Sequence, residues 1–432
     1  MWQLEFLFAN ATHNDWTRRH LIPVRAPRVS RNALGGRRRE RIVPVHLNRR
    51  KFMVTVGGPL ITSALGRRGA EAQSRAMFAY VGCFTKGDGR DSGGDGIGVF
   101  RVDPLSHRWT QVQRLADIAN PNFLTLDRQQ RYLYTADGAN REYATAFSIN
   151  PRSGELTILN RQPTGRDGGL HVIVDPTNGY LLVPHNPGTI AVLPIRPDGS
   201  LAPMSDSADW SGTLGPHRTE QTTPHPHHIQ FDRRGRFLIV PDKGLDLVHV
   251  FTLDTATGKL VANKPPSVAA RSGSAPRHVV LHPAGRYAYV VNELDSTVTT
   301  YRFDEDRGTL EPIQVIPTIP TTFTGNNTGA EIAVTRSGRF VYASNRGHNS
   351  IAMFAVEKSG ALSHVGWEST LGRTPRFIGL DPSETFLYAA NQGSNTIVAF
   401  RVNQASGALS PTGYVVEVGT PTCVVFATPG AV

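Results

Sequence analysis

SAPRHVVLHPAGRYAYVVNE, residues Ser274–Glu293, carries two strands and the turn that joins them. An apolar run, His278–Leu281, meets a tight turn built on Pro283 and Gly285, and an alternating aromatic run, Tyr287–Val291, follows. Short apolar runs on either side of a Pro/Gly turn specify a β-hairpin. Variants recur at Phe123 (FLTLDRQQRYLYTAD), His171 (HVIVDPTNGYLLVPH), His228 (HIQFDRRGRFLIVPD), Glu331 (EIAVTRSGRFVYASN) and Phe377 (FIGLDPSETFLYAAN). The residue just before the turn is Asp127, Asp175, Asp232, His282, Thr335 and Asp381, giving steps of 48, 57, 50, 53 and 46. A period of about 50 residues sets a repeat architecture ahead of any local assignment.

Most copies continue into a third apolar run that ends in an aromatic, as in LVHVFTL, TVTTYRF and TIVAFRV. A Gly-Xaa-Leu turn follows at Gly154, Gly258, Gly308, Gly360 and Gly407, and then a weaker fourth strand. Four antiparallel strands per repeat make a propeller blade. Six hairpins are explicit, and the chain ends supply a seventh: Thr420–Phe426 matches the first strand of the repeat and Phe78–Phe84 the second. The sequence predicts an all-β, seven-bladed β-propeller whose first blade is closed by the C-terminal strand, removing exposed sheet edges. Trp-Asp is absent, Gly-His occurs once at Gly347-His348 and does not recur from blade to blade, and no Gly-Gly doublets fall in register, which argues against the WD40 and kelch patterns.

Residues 1–72 stand apart. They hold 14 Lys and Arg against 4 Asp and Glu, so of the net charge of +11 the remaining 360 residues keep only +1. The basic character belongs to the leader, and the propeller gives no electrostatic case for nucleic-acid binding. Within the leader, Asn48–Met53 (NRRKFM) precedes a mildly apolar run of 13 residues, Met53–Leu65, then Arg67-Arg68 and Ala70-Glu71-Ala72. A twin arginine, a short apolar segment and an Ala-Xaa-Ala site in that order predict a twin-arginine export signal. The run is too short for a lasting membrane anchor. The expectation is a periplasmic or secreted domain over 73–432, exported by the twin-arginine machinery, or a cytoplasmic one if the leader is not a signal. Cys83 and Cys423 fall on the two strands of the split blade and are expected as buried small side chains rather than a disulfide. The longest insertion, Met204–Thr223 with Trp210 and His217, is expected as a rim or lid over a mouth. A closed propeller shares no edge strand, which predicts a monomer.

In an antiparallel blade the loop entering the first strand and the loop leaving the second lie at one end. These positions from every blade converge on one mouth of the central channel, where chemistry is expected. Entering are Asn120 and Asn122, Gly168 and Gly169, His225 and His227, Arg277, Glu331 and Arg376; leaving are Asp137, His185, Asp242, Glu293, Arg346 and Gln392, with Asn292, Asn345 and Asn391 beside the last three. Asp and Asn at strand ends commonly form turns, so Asp137, Asp242, Asn292 and Asn391 rank low as ligands. His227, Arg277, Glu293 and Arg346 supply a base, an acid and two fixed cations on one side. Substrate contacts are expected from His225, Glu331 and Asn345. Two nearby cations and the lack of a cysteine among the histidines oppose a metal, and no cofactor is implied.

With these residues assembled, the chain resembles the seven-bladed lactonase family that includes bacterial 6-phosphogluconolactonase and the fungal carboxy-muconate lactonising cycloisomerase. The resemblance covers nearly all of Phe78–Phe426 and is most specific in HPHHIQFDRRGRFLIVPDKGLD, PRHVVLHPAGRYAYVVNE and GRFVYASNRG. It implies a catalytic histidine at His227, arginines at Arg277 and Arg346 and a glutamate at Glu293. The reaction implied is hydrolysis of a sugar or related lactone: His227 deprotonates water, the guanidiniums stabilise the oxyanion and clamp an anionic substrate group, and Glu293 orients an arginine or, with a raised pKa, protonates the leaving alkoxide. The same four groups would also serve a cycloisomerase acting on a polycarboxylate. RYAYVVNE, RFVYASNRG and TFLYAANQG also resemble the YVTN repeats of ligand-binding surface propellers. Export stands apart from a cytosolic sugar-phosphate role.

Overall fold

The computed structural model describes residues 76–85 and 93–430, and the leader with its export motif lies outside them. Seven four-stranded antiparallel sheets follow one another. They comprise residues 123–163, 173–209, 230–269, 276–317, 328–369 and 375–417 as blades 2 to 7, with blade 1 assembled from 77–115 and 421–427. In blade 1 the C-terminal strand Pro421–Ala427 pairs with Met77–Cys83, so the last strand closes the ring. The first strands of the blades surround the channel and touch one another in turn. Among the described residues no helix is long and apolar enough to cross a membrane.

The hairpin repeat is held by its own side chains. The Oδ1 of Asp127 accepts hydrogen bonds from the amides of Arg131 and Tyr132, at 2.6 and 2.8 Å, and Asp175 does the same for Gly179 and Tyr180 at 2.6 and 2.7 Å. A carboxylate one residue before the turn thus satisfies amides that have no strand partner. The aromatic alternation serves the next blade. Tyr289 donates to the carbonyl of Gly360 at 3.1 Å, and the ring of Tyr287 would lie 2.3 Å from a Cβ at that glycine, whose φ is +83°. Only glycine combines that left-handed backbone with room for the ring, which accounts for the Gly-Xaa-Leu turn. The apolar core accordingly divides into seven clusters, one between each pair of neighbouring blades.

Two local expectations change. The insertion 204–223 is partly a strand: Asp206–Asp209 pairs with Thr189–Pro194 as the fourth strand of blade 3. Without it that blade would expose an unpaired edge. The first strand of blade 4 pairs over Gln230–Phe231, with one further bridge between Pro226 and Asp242. Pro224 and Pro226 have no amide hydrogen to give to a ladder. Cys83 and Cys423 are both buried free thiols.

Candidate functional site

The first strands of blades 5, 6, 7 and 1 carry register shifts at Arg277, at Ala330 and Glu331, at Arg376 and at Thr422. A bulge re-aims the side chain it releases from the ladder, and here two of the released side chains are arginines, Arg277 and Arg376. Arg376 borders a cavity of about 750 Å³ whose wall also includes Arg141, His225, His227, Lys243, Glu293 and Arg346. His217 and Glu220 also line it, so the remainder of the insertion forms one side of the cavity.

Glu293 is the pivot of this wall. Its Oε2 lies 2.9 Å from Arg277 Nε and 3.2 Å from Arg346 Nη2, and its Oε1 accepts a hydrogen bond from Lys243 Nζ at 2.8 Å. Lys243 Nζ also donates to Glu220 at 2.7 Å, Arg277 donates to the carbonyl of Ala330 at 2.5 Å, and Arg346 donates to that of Gly329 at 2.8 Å. Burial works against ionisation of Glu293, but Arg346, Lys243 and Arg277 together hold its carboxyl well below the usual range. Glu293 is therefore a fixed anion. The raised pKa that a leaving-group acid would need is not what its surroundings produce.

His227 is buried at the cavity wall and stacked on His225, with ring centroids 5.5 Å apart. Its Nδ1 faces Nε2 of His278 at 3.1 Å, and Nδ1 of His278 faces Oε1 of Glu331 at 2.8 Å. Burial, reinforced by Arg277 and His278, keeps His227 well below the ordinary histidine value, and burial with Lys243 brings His225 down to about 4. Both are neutral imidazoles at neutral pH. Burial also pushes Glu331 up to about 7, despite the opposing pull of His228 and Arg277.

The repeat shows why some expected residues reach the cavity and others do not. Five residues before the turn stand Asn122, Leu170, His227, Arg277, Ala330, Arg376 and, at the matching place in blade 1, Thr422. Asn122, Leu170, His227 and Arg376 line the cavity, while Arg277 lies in a small pocket beneath it with His227 and His278. One residue later stand Phe123, His171, His228, His278, Glu331, Phe377 and Cys423. This second set plugs the channel: ring centroids are 4.2 Å apart from Phe123 to His171 and from His171 to His228, and 4.5 Å from His228 to His278. Glu331 belongs to the plug and is absent from the cavity wall.

Asn345 is likewise withdrawn. It accepts from Thr318 Oγ1 and donates to Thr318 O, both at 2.7 Å, and is fully buried. Its equivalents are pinned in the same way: Asp137 to Thr145 at 2.7 Å, His185 to Thr164 at 2.9 Å, Asn292 to Thr297 at 2.8 Å and Asn391 to Thr370 at 3.0 Å. Asp242 accepts the amides of His225 and Gly244 at 2.7 and 2.9 Å and the indole of Trp210 at 2.9 Å. The next residue in each copy from blade 3 onward, Asn186, Lys243, Glu293, Arg346 and Gln392, does line the cavity. Sequence reasoning misses Lys243 because it sets Asp242 in register with Glu293, one place too early. Its signal was the alignment itself. Among the described residues no group of three or more His, Cys, Asp or Glu is placed to hold a metal ion.

Residues 78–426 match the family described as lactonase, seven-bladed β-propeller. The 6-phosphogluconolactonase of Bacillus subtilis is 35% identical over 353 residues, covering 81% of this chain and 98% of that protein. A protein of Formosa agariphila with the same description is 30% identical over 319 residues, covering 70% of this chain and 86% of that one. Among solved structures, the periplasmic gluconolactonase of Pseudomonas aeruginosa superposes with a TM-score of 0.74 at 30% identity, over 82% of this chain and all of that one.

Proposed function

From the premise that this chain belongs to the seven-bladed β-propeller lactonase family, we propose that it hydrolyses the lactone of a sugar acid at the cavity walled by His227, Glu293 and Arg346. The chain is a 6-phosphogluconolactonase-like carboxylic ester hydrolase. The observation that carries the placement of its chemistry is a neutral histidine held at the wall of a cavity rich in fixed cations. A general base must be unprotonated and within reach of water, and an ester oxyanion needs positive charge aimed at it before it forms. Arg346 meets the second need at the cavity wall. Arg277, one layer deeper, helps to keep His227 neutral and shares Glu293 with Arg346.

In this reading His227 takes the proton from water as the water oxygen bonds to the lactone carbonyl carbon. Arg346 stabilises the charge that develops on the carbonyl oxygen. Collapse of the tetrahedral intermediate breaks the ring C–O bond, and His227 returns the proton to the departing alkoxide. Glu293 stays ionised throughout and fixes the cations. Among the described residues, five cationic side chains, Arg141, Lys243, Arg346, Arg376 and Arg277, face two carboxylates, Glu220 and Glu293, in and under the cavity. Such an excess suits a substrate that carries a carboxylate or phosphate. The leader motif Asn48–Met53 supports export of the domain from about Gln73, where a lactone that keeps a free carboxylate, rather than a phosphate, is the substrate expected. N-terminal sequencing of the exported protein checks that part: an intact Met1 on a cytosolic protein would remove it.

The function is tested by following proton release from gluconolactone, 6-phosphogluconolactone and a muconolactone side by side, with identification of the products. Hydroxy-acid formation above the spontaneous rate is the expected result and ranks the substrates. Conversion of an open-chain polycarboxylate to a lactone would instead identify a cycloisomerase. No turnover in either direction would reject an enzymatic reading.

A further inference from the structure

We propose that Glu331 and His278 are positioning residues which, with His227, form a proton relay from the cavity wall to the buried centre of the channel. The catalytic part of this inference rests on His227 being the base of the lactonase. The relay stands on geometry: Glu331 Oε1 to His278 Nδ1 is 2.8 Å, and His278 Nε2 to His227 Nδ1 is 3.1 Å. Glu331, His278 and His227 are 5, 2 and 6% exposed, so water does not compete along the line. Glu331 Oε1 also accepts the amide of Ile332 at 3.1 Å, which fixes the carboxylate at the end of the line.

A single proton sets the tautomer of both histidines. With Glu331 ionised, His278 donates from Nδ1 to the carboxylate and accepts at Nε2 from Nδ1–H of His227. That leaves the lone pair of His227 on Nε2, and His227 is a base. When Nε2 of His227 takes the proton of the attacking water, its Nδ1 proton passes to Nε2 of His278, whose Nδ1 proton passes to Glu331. The three groups end as two neutral imidazoles and a carboxylic acid, and the reverse transfers deliver the proton to the leaving alkoxide. No imidazolium forms, which matters beside so many cations. The groups facing the line are His171 and His228 beside His278, His225 and Arg277 beside His227, and Arg376, Arg346 and Glu293 around them. Burial holds all these histidines below their ordinary values, so none of them competes for the proton, and Glu331, pushed up to about 7, is matched to the task.

The test is the tautomer of His227 in the unliganded wild-type protein, read by long-range proton–nitrogen correlation between pH 5.5 and 8.5. The relay predicts Nδ1–H at high pH giving way to Nε2–H through a midpoint near 7, with no imidazolium. A single tautomer across that range would overturn it. In the full chain, Glu331→Gln should lower kcat by about 10² with KM within about twofold, and should abolish the rise of kcat through pH 7. Glu331→Asp should restore part of kcat and the pH dependence. An unchanged kcat or an unchanged pH profile in Glu331→Gln would also overturn the relay. The spectrum needs no substrate, so the relay can fail while lactonase turnover stands, and turnover can fail while the tautomer switch stands.

Discussion

Replacing Glu293 with glutamine removes one negative charge from the point where three cations meet, at 2.8, 2.9 and 3.2 Å. With an effective dielectric constant of about 20, unit charges at such separations attract by about 5 kcal/mol per pair. Three such attractions outweigh the cost of burying the carboxylate, as its depressed pKa records. Glutamine still accepts hydrogen bonds, so the loss is smaller than the sum of the attractions. Breaking a buried charge pair by removing one partner costs about 3–5 kcal/mol, and we expect the variant to be about 4 kcal/mol less stable at pH 7. Turnover should fall by about 10² to 10³, the usual cost of one misplaced oxyanion donor, because Arg346 loses the group that holds it. Urea unfolding at a series of pH values is the assay. A carboxyl with a lowered folded-state pKa stabilises the fold above its unfolded value, about 4.3, and loses that contribution as pH falls through the folded value. The gap between wild type and variant should be constant above about pH 5 and should close in acid. Equal stability at pH 7, or a gap that persists unchanged in acid, would refute the reasoning.

Lys243→Met removes the cation that links Glu220 to Glu293; KM for a phosphorylated or carboxylated lactone should rise about tenfold, the worth of one charge-assisted hydrogen bond, and saturation kinetics will show whether it does. Gly360→Ala places a Cβ 2.3 Å from the ring of Tyr287 at a φ of +83°; left-handed strain and overpacking should together cost about 2 to 4 kcal/mol in urea unfolding, with KM unchanged in the folded fraction.

The architecture was legible because each blade must solve the same problem of turning a strand and covering its neighbour. Asp127 and Asp175 recur to cap hairpin amides, and Gly360 recurs because a ring from the preceding blade occupies the place of its side chain. The site was legible only to within one residue of register. On a strand a shift of one place exchanges the two faces, and this is the difference between Arg277 and Glu331, or between Lys243 and Asp242. Reading Glu331 with His227 put a plug residue at the cavity wall, and reading Asp242 with Glu293 hid Lys243. His278 stands in the defining hairpin, where the sequence alone presents it as the first residue of an apolar run. Its role shows only when the ring of Phe123, His171, His228, His278, Glu331 and Phe377 is seen end on.

The central claim is that lactone hydrolysis runs through His227. The measurement that tests it most directly is the rate of hydrolysis of the preferred lactone by the full chain and by its His227→Ala variant, above the spontaneous rate and at matched thermal stability. The account predicts a fall in kcat of about 10² to 10⁴, the range of a positioned general base, with substrate binding retained. A variant that turns over at the wild-type rate would contradict it.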